Sequence, residues 1–218
     1  MERGFRLKQY FVLAALIFAG PMVMAGDIPS ADSTGKSEAK DKKGAGRQLE
    51  YVRMTTSMGD IVLELNREKA PITVANFLNY VGDHFYDSTI FHRSIPGFML
   101  QGGGFTADLK QRKPGAPIEN EWQNGLKNRR GTIAMARQGR MANSATSQFF
   151  INVVDNRGLD VPQDGSGYAV FGQVIAGMDV VDKIVRVPTR TINGMADVPS
   201  EMIYIVSVTL LEKKPGSE

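Results

Sequence analysis

The sequence predicts a mainly β protein whose strands form a closed or nearly closed antiparallel barrel with two helices. Residues 49–213 contain six or more short runs of apolar and β-branched residues, and Gly, Asn, Asp and Pro separate them. Only two segments of this region space their apolar residues as a helix does. A sheet of many short strands avoids exposed edges best when it closes on itself. No internal repeat or second domain is visible, so we expect one folded domain over residues 49–213.

The first predicted elements are a β-hairpin and a helix. Residues 51–56 and 61–65 have the composition of strands, and a turn at residues 58–60 separates them. A helix then opens at Pro71, because proline is well tolerated in the first turn. Apolar residues at helical spacing extend this helix to about Asp83.

Short strands make up most of the remaining domain. A second helix is predicted at residues 178–185, from the spacing of its apolar residues. The predicted strands, each bounded by turn-forming residues, are 91–95, 98–101, 132–136, 148–153, 168–174 and 202–211.

The amino terminus has the three-part layout of a secretory signal peptide. Residues 1–8 are short and positively charged, and residues 9–26 carry no charge. A glycine–proline pair interrupts this stretch, and Ala25 offers a small residue at the cleavage position. An uncleaved membrane anchor is the alternative, but the stretch is shorter than the ~20 apolar residues that a spanning helix prefers. We therefore expect residues 1–25 to be removed, no stable membrane insertion afterwards, and a periplasmic mature protein.

Residues 26–48 predict a flexible polar linker. They include nine charged residues of mixed sign and a single large apolar residue, Ile28. Such a segment cannot bury enough apolar surface to offset the entropy lost on ordering. Residues 214–218 form a short polar tail after the domain.

Composition excludes several classes of function. The chain has no cysteine and only two histidines, which rules out a disulfide framework, a thiolate metal site and a cysteine nucleophile. The formal net charge is +3 at pH 7, and residues 1–25 contribute +2 of it, from three basic residues and one acidic residue. The rest of the chain is therefore nearly neutral and has no electrostatic basis for binding nucleic acid.

Two stretches carry the residues best suited to a functional site. The first, residues 91–105 (FHRSIPGFMLQGGGF), places Arg93 in a strand, and the period of two predicts that Phe91, Arg93 and Ile95 share a face. The second stretch, residues 131–153, contributes Met135, Ala136, Gln148, Phe149 and Phe150. Together, the two stretches predict an apolar groove that holds one cation and a few amide dipoles. The alternative is a barrel core with Arg93 on its exposed rim.

Three other candidates have simpler interpretations. His92 has no obvious serine or cysteine partner, so a structural histidine is favoured over a general base. The glycine run at residues 102–104 lacks the G-x-G-x-x-G pattern and predicts a tight bend. Glu119 and Glu121 lie in a polar, turn-rich stretch, where a solvated loop is the better interpretation than acid–base chemistry.

The motifs and their order resemble the cyclophilin family of peptidyl-prolyl cis–trans isomerases. The matching stretches are FHR-x-I-PGFM-x-QGG, G-T-I-A-M-A, SQFFIN and Y-A-V-F-G-x-V, and the resemblance covers residues 50–212. The stretches ENEWQNGLKNRRGTIAMAR and SATSQFFINVVDN resemble the bacterial exported and cytosolic branch in particular. The resemblance implies an eight-stranded antiparallel barrel capped by two helices, with no metal and no cofactor.

Taken position by position, the resemblance implies a proline-binding groove. Arg93 would be the catalytic arginine, and Gln101 would orient both the peptide and Arg93. Phe98 would complete the catalytic set as part of the floor of the proline pocket. The other substrate-binding residues would be Met99, Ala136 through its main chain, Gln148, Phe150, Leu159 and Tyr168.

Two positions depart from the family pattern. Gly158 stands where an aromatic residue is common, and Tyr168 stands where the family has its pocket histidine. One wall of the pocket would then be open or rebuilt. Because cyclosporin-type cyclic peptides bind family members through this groove, we expect them to inhibit this protein only weakly.

The implied function is to accelerate X–Pro rotation in unfolded or partly folded exported polypeptides, and we expect a monomer. Two alternatives stay open. One is a proline-peptide-binding module with weak catalysis, and the other is a chaperone that uses the same groove or another surface. Arg93, Phe98 and Gln101 are all present together with Phe150, which favours the enzyme.

Cleavage after Ala25 is the first testable prediction. Intact-mass measurement of the protein from its native host should give a mature chain that begins at Gly26, because the charge layout and the small residue suit signal peptidase. Ala25→Phe should block this cleavage and leave the longer chain. Uncleaved wild-type protein in the cytosol would contradict the prediction.

Overall fold

The computed structural model of the protein describes residues 48–161 and 164–216. The predicted signal peptide and nearly all of the predicted linker lie outside them. The described residues contain α-helices α1 (Pro71–Gly82) and α2 (Met178–Ile184) and a 3₁₀ helix (Arg157–Leu159). None of these helices is long and apolar enough to span a membrane. The strands are β1 (Leu49–Thr56), β2 (Gly59–Asn66), β3 (Thr89–Ile90), β4 (Arg93–Ile95), β5 (Met99–Gly102), β6 (Thr132–Met135), β7 (Phe149–Asn152), β8 (Val170–Ala176), β9 (Thr189–Ile192), β10 (Met195–Pro199) and β11 (Tyr204–Leu211).

Nine strands of the described region form one antiparallel sheet that curls on itself. Their order is β3-β11-β1-β2-β8-β6-β7-β5-β4. The two edge strands, β3 and β4, are consecutive in the chain and are separated only by Phe91 and His92. The sheet must therefore bend round so that its edges come together at this segment. If β3 and β4 are counted as one interrupted strand, the sheet has the predicted eight strands. The predicted mainly β fold with two helices is confirmed.

The hairpin of β1 and β2 forms where the sequence predicts it. Its ladder runs without a break to Thr56, which lies opposite Gly59. The Thr56 hydroxyl donates to the Gly59 carbonyl at 2.7 Å and accepts from the Met58 N–H at 3.1 Å. A side chain that bonds to nearby backbone in this way stabilises a turn, so the threonine fixes where the strand reverses.

Glu121 holds the start of α1, which corrects the prediction of a merely solvated loop. Its carboxylate accepts from the Ile72 N–H at 3.0 Å and from the N–H and hydroxyl of Thr73 at 2.8 and 2.6 Å. The first turn of a helix leaves such N–H groups unpaired, and a carboxylate there also meets the positive end of the helix dipole. Glu121 therefore has a structural role as the cap of α1.

An aromatic cluster lies at the centre of the core. The Phe77 ring of α1 lies within 5.7 Å of three other rings, measured between ring centroids. These rings, all fully buried like Phe77, belong to Tyr86, Phe149 and Phe171. Burying an aromatic side chain of this size contributes roughly 2–3 kcal/mol. Because Phe149 belongs to β7, the cluster fixes that strand beneath α1.

The strand predicted at residues 91–95 is interrupted, which changes the residues that share a face. Phe91 and His92 lie between β3 and β4, outside both ladders. Phe91 is fully buried in the core, whereas Arg93 keeps 23% of its side chain exposed. The prediction that Phe91 shares a face with Arg93 and Ile95 is therefore wrong, because the interruption breaks the alternation.

The sequence reading missed a second hairpin. Strands β9 and β10 form a separate two-stranded sheet, and β10 packs against β4. Most of their residues are exposed or half-buried, so the apolar alternation that marks a strand is absent. The turn contains Asn193 and Gly194 in left-handed conformations, with φ of 50° and 80°. An Asn-Gly pair is a strong hairpin signal, so a signal for this element was present in the sequence.

Candidate active site

Strands β4, β5, β7 and β6 align the predicted site residues in one row. Arg93 pairs with Gln101, and Gln101 pairs with Phe150. Phe150 in turn pairs with Ala134. Residues opposite one another across a ladder lie on the same side of the sheet. The alternate residues of these strands, including Leu100, Ile151 and Ile133, belong to the core cluster. The row therefore lies on the outer face of the sheet.

Arg93 contacts the unpredicted hairpin. Its Nε lies 3.5 Å from Oδ2 of Asp197 in β10. Its Nη1 is buried and has no hydrogen-bond partner among the described residues. A buried donor that stays unpaired costs free energy, and a bound molecule that accepts from it recovers that cost. Nη1 is therefore a donor that no described residue uses, which makes Arg93 the candidate ligand-binding group of this row.

Two glutamine amides lie beside Arg93. Nε2 of Gln101 donates to Oε1 of Gln148 at 2.9 Å, so each side chain orients the other. A Cβ atom at Gly104 would come within 2.5 Å of Cγ of Gln148, and one at Gly103 within 2.8 Å of the Phe149 ring. The glycine run therefore leaves space for the side chains of Gln148 and Phe149, in addition to forming the predicted bend.

Phe98 and Leu159 come from two segments that asparagines tie together. Phe98 lies half-buried in the turn before β5, and its carbonyl accepts from Nδ2 of Asn156 at 2.8 Å. Asn156 also donates to Oδ1 of Asn152 at 2.7 Å, and its carbonyl accepts from the Leu159 N–H at 2.9 Å. Met99, buried at 2% exposure, pairs with Asn152 in the ladder. The residues predicted to form the pocket floor are thus positioned through one network.

Arg137 holds the loop before Tyr168. Its guanidinium makes two parallel hydrogen bonds to Asp164, Nη1 to Oδ2 at 3.0 Å and Nη2 to Oδ1 at 2.9 Å. It also donates to the carbonyl of Ser166 at 2.6 Å and to that of Gly167 at 3.0 Å. Its side chain is 1% exposed, so the charge is buried but paired. These contacts are called the arginine clamp below.

The arginine clamp places Tyr168 against Phe150. Cζ of Arg137 lies 4.5 Å from the centroid of the Tyr168 ring, in a cation–π contact. The Tyr168 ring meets that of Phe150 nearly edge-on, with centroids 5.6 Å apart. Burial raises the pKa of the Tyr168 phenol, so it stays protonated at neutral pH. Tyr168 therefore supplies an aromatic surface beside Phe150.

Ala136 follows β6 directly and is buried. Its N–H donates to the Gln148 carbonyl at 2.9 Å, which leaves the Ala136 carbonyl for any main-chain contact with a ligand. Met135 and Phe149, which the sequence reading counted with the groove, belong to the core cluster instead. The reason is that successive residues of β6 and β7 point to opposite faces.

His92 is buried behind Arg93 and has the environment of a structural residue. Its ring packs against Phe105, with centroids 4.6 Å apart. Burial, assisted by the charge of Arg93, lowers the pKa of His92 to about 3, so the ring is neutral at physiological pH. Its Nδ1 has no hydrogen-bond partner among the described residues. Apolar packing therefore explains the position of this ring better than a full set of hydrogen bonds.

Gly158 leaves an open position next to Leu159. It is exposed within the 3₁₀ helix, and a Cβ atom there would meet no atom within 4 Å. Its φ lies outside the left-handed region, so a larger side chain meets neither a steric nor a backbone barrier. The ring of Tyr168 thus lies against Phe150, and the position of Gly158 has room for a larger side chain.

Sequence reasoning missed several residues that hold this site. Asn152 and Asn156 lie within the stretch SATSQFFINVVDN, so the resemblance pointed to their region without a role for them. Asp164 and Asp197 lie outside every motif, and their partners are distant in the sequence. Among the described residues, no group of three or more His, Asp or Glu side chains is placed to hold a metal ion.

Comparisons with known proteins agree with this geometry. Residues 51–210 match the family described as cyclophilin type peptidyl-prolyl cis-trans isomerase/CLD. Peptidyl-prolyl cis-trans isomerase A of Dickeya dadantii is 53% identical over 163 residues, which cover 75% of this chain and 85% of that protein. Peptidyl-prolyl cis-trans isomerase B of Escherichia coli is 53% identical over 164 residues, which cover 74% of this chain and 99% of that protein.

Solved structures are similar as well. The crystal structure of a cyclophilin type peptidyl-prolyl cis-trans isomerase of Cryptosporidium parvum has a TM-score of 0.63 and 29% identity, covering 77% of this chain and 99% of that one. A second crystal structure of that protein, in the presence of the dipeptide Ala-Pro, has a TM-score of 0.61 and covers 74% of this chain and 98% of that one.

The fold first defines a class of mainly β proteins with a curled antiparallel sheet, which here carries Arg93, Gln101 and Phe150 on its outer face. With the matches above, the chain belongs to the cyclophilin-type peptidyl-prolyl cis-trans isomerases, enzymes that accelerate rotation about the bond before proline.

The arginine clamp generates a prediction about stability and substrate binding. Asp164→Asn leaves Arg137 buried without its counter-charge, which should lower the free energy of unfolding by about 3 kcal/mol in urea at pH 7. The released loop should also raise KM for an X-Pro peptide. Asp108→Asn is the control, because the Asp108–Lys110 pair is on the surface and its loss should leave both readouts unchanged.

Acid titration tests the same carboxylate. Hydrogen bonds from Arg137 hold the pKa of the Asp164 carboxyl well below its usual range. A group with a lowered pKa in the folded state stabilises the fold above its unfolded pKa of about 3.9, and this stabilisation is lost as the pH falls through the folded pKa. The stability of Asp164→Asn should therefore fall less steeply below about pH 4 than that of the wild type. Equal slopes would contradict this.

Gly158 generates a prediction about inhibition. Gly158→Trp should add an aromatic surface to the open side of the pocket and tighten binding of a cyclosporin-type peptide about 10- to 100-fold, measured by calorimetry. Gly158→Ala should leave the affinity unchanged, since it alters the backbone preference without adding a wall. Nanomolar binding by the wild type would show that another side chain already fills this position.

Proposed function

We propose that Arg93 catalyses X–Pro rotation by electrostatic stabilisation of the twisted amide. The observation that carries the proposal is the buried, unpartnered Nη1 of Arg93, in the same row as Gln101 and Phe150. A proline ring against Phe150 would bring the amide before it close to this donor. No metal, covalent bond or proton transfer is needed for this reaction.

The size of the barrier sets what the site must supply. Rotation about an X–Pro bond faces about 18–20 kcal/mol because of amide resonance. A turnover near 10³ per second corresponds to a barrier of about 13 kcal/mol, so the enzyme must contribute roughly 5–7 kcal/mol.

Arg93 is suited to the largest part of this contribution. As the amide twists, the prolyl nitrogen regains its lone pair, and a donor aimed at that nitrogen stabilises the twisted state more than the planar one. A guanidinium stays charged and presents its donors in a rigid plane. One such contact in a partly dehydrated site contributes about 2–4 kcal/mol.

The apolar residues and the amides would supply the remainder by holding the peptide. A ring fixed against the pocket floor loses little further entropy as its amide rotates, and the apolar contact partly dehydrates that amide. Gln101, Gln148 and the carbonyl of Ala136 would bind the main chain on either side of the proline. The floor and wall would be Phe98, Met99, Phe150, Leu159 and Tyr168.

We further propose that the clients are unfolded or partly folded exported polypeptides, bound by a monomer in the periplasm. The support is the signal-like layout of residues 1–25 and the polar composition of residues 26–48. The open position at Gly158 favours one alternative, a groove that binds proline peptides with weak catalysis. An isomerase assay on a short peptide separates the enzyme from the binding module, since a binding module would bind the peptide without accelerating its isomerisation.

Arg93 generates the central prediction. Arg93→Ala should lower kcat/KM about 10²- to 10³-fold in a protease-coupled assay on an X-Pro tetrapeptide, because the electrostatic contribution is lost. The free energy of unfolding should change by less than about 1 kcal/mol, because the side chain lies on the outer face. Arg93→Lys should recover little, since a lysine lacks the planar fork.

Two further variants serve as comparisons for Arg93→Ala. Arg190→Ala removes an exposed arginine from β9 and should leave turnover unchanged. Phe98→Ala should instead raise KM and lower stability, because it opens the pocket floor. Near-normal turnover by a folded Arg93→Ala protein would show that Arg93 is not the catalytic group.

A further inference from the structure

The hairpin of β9 and β10 places one carboxylate beside Arg93. This hairpin is not part of the main sheet, and β10 packs against β4, the strand that carries Arg93. Its ladder is irregular between Met195 and Val198, and Asp197 lies inside that irregularity. Bulges of this kind re-aim a side chain and often lie next to active sites.

The backbone of Asp197 is in an unusual conformation. Its φ is 61°, in the left-handed region that residues with a Cβ seldom adopt and that Asp and Asn tolerate best. Such a conformation persists only where the surrounding structure holds it in place. In this conformation, Oδ2 of Asp197 lies 3.5 Å from Nε of Arg93.

The contact uses one edge of the guanidinium and leaves another free. Asp197 faces Nε, whereas Nη1 is buried without a hydrogen-bond partner among the described residues. Because the guanidinium is planar and rigid, fixing the Nε edge also fixes the direction of the Nη1 donors. Gln101 lies on the other side of Arg93 in the ladder, but its amide donates to Gln148.

We propose that Asp197 is a positioning residue for Arg93, whose guanidinium it holds in a fixed orientation through Nε. The inference rests on the proposed catalytic role of Arg93. The pair is partly exposed, at 38% for Asp197 and 23% for Arg93, so it adds little to stability. Its effect therefore belongs to turnover, where the aim of the donor matters, and not to the folding equilibrium.

Steady-state kinetics of Asp197 variants test this inference on the full domain. Asp197→Gly removes the carboxylate and keeps the left-handed backbone accessible, so it should lower kcat about tenfold with KM within twofold of wild type. Asp197→Asn keeps the local backbone preference and an acceptor oxygen, and should lose only about threefold. A matched control is Asp60→Asn, since the Arg53–Asp60 pair joins the same atoms at 3.7 Å away from the site and should not affect kcat.

A double-mutant cycle separates positioning from an independent effect. In the Arg93→Ala background, Asp197→Gly should cause no further loss, because there is no guanidinium left to aim. If the losses in kcat of the two single variants multiply in the double variant, the proposal is wrong. Full kcat for folded Asp197→Gly together with an impaired Arg93→Ala would overturn it and leave the role of Arg93 intact. An active Arg93→Ala would overturn both.

A direct readout covers the case in which the glycine variant is unstable. In ¹⁵N-arginine spectra, the Nε–H signal of Arg93 should exchange with water faster in Asp197→Asn than in the wild type, with unchanged melting temperatures. An Asn variant that matches the wild type in both kcat and Arg93 exchange would overturn the proposal.

Discussion

The site depends on the register of four neighbouring strands. In β4, β5, β7 and β6, side chains alternate between the core and the outer face, and the ladders align Arg93, Gln101 and Phe150 across three of these strands. A slip of one residue in any ladder would move its aromatic or polar group to the opposite face. The register is held from the inside, where Phe149 packs in the aromatic cluster under α1. The core thus stabilises the sheet and also selects which residues its outer face presents.

Two arginines of this region differ in how many hydrogen bonds they make to the rest of the protein. Arg137 is almost fully buried, and five hydrogen bonds use its five N–H donors. It has nothing left to offer a ligand, and its work is to hold the loop of Tyr168. Within the part of the chain that the structure describes, Arg93 has one ion pair and a buried donor without a partner. The two side chains have the same chemistry, and the number of protein partners decides what each can do.

Some strands and helices were predictable from the sequence and others were not, and each case has a physical reason. The β1–β2 hairpin and α1 were predicted because alternation, turn residues and Pro71 are local signals. The break between β3 and β4 was not, because residues 91–95 were predicted as one strand and no turn-forming residue marks the interruption at Phe91 and His92. The hairpin of β9 and β10 was missed because it is polar and packs on a strand, not in the core.

The sequence by itself determined the fold class and the family, and it predicted the candidate groove residues. These follow from alternation, from motif order and from residue types such as Arg93, Phe98 and Phe150. Only the tertiary structure decided that Met135 and Phe149 face the core, that Asp164 and backbone carbonyls engage all the donors of Arg137, and that Asp197 lies against Arg93. The partners in these contacts come from segments far apart in the sequence or from loops without a motif. Such contacts depend on how the curled sheet brings its loops together. No local pattern of residues shows which loops come close to one another.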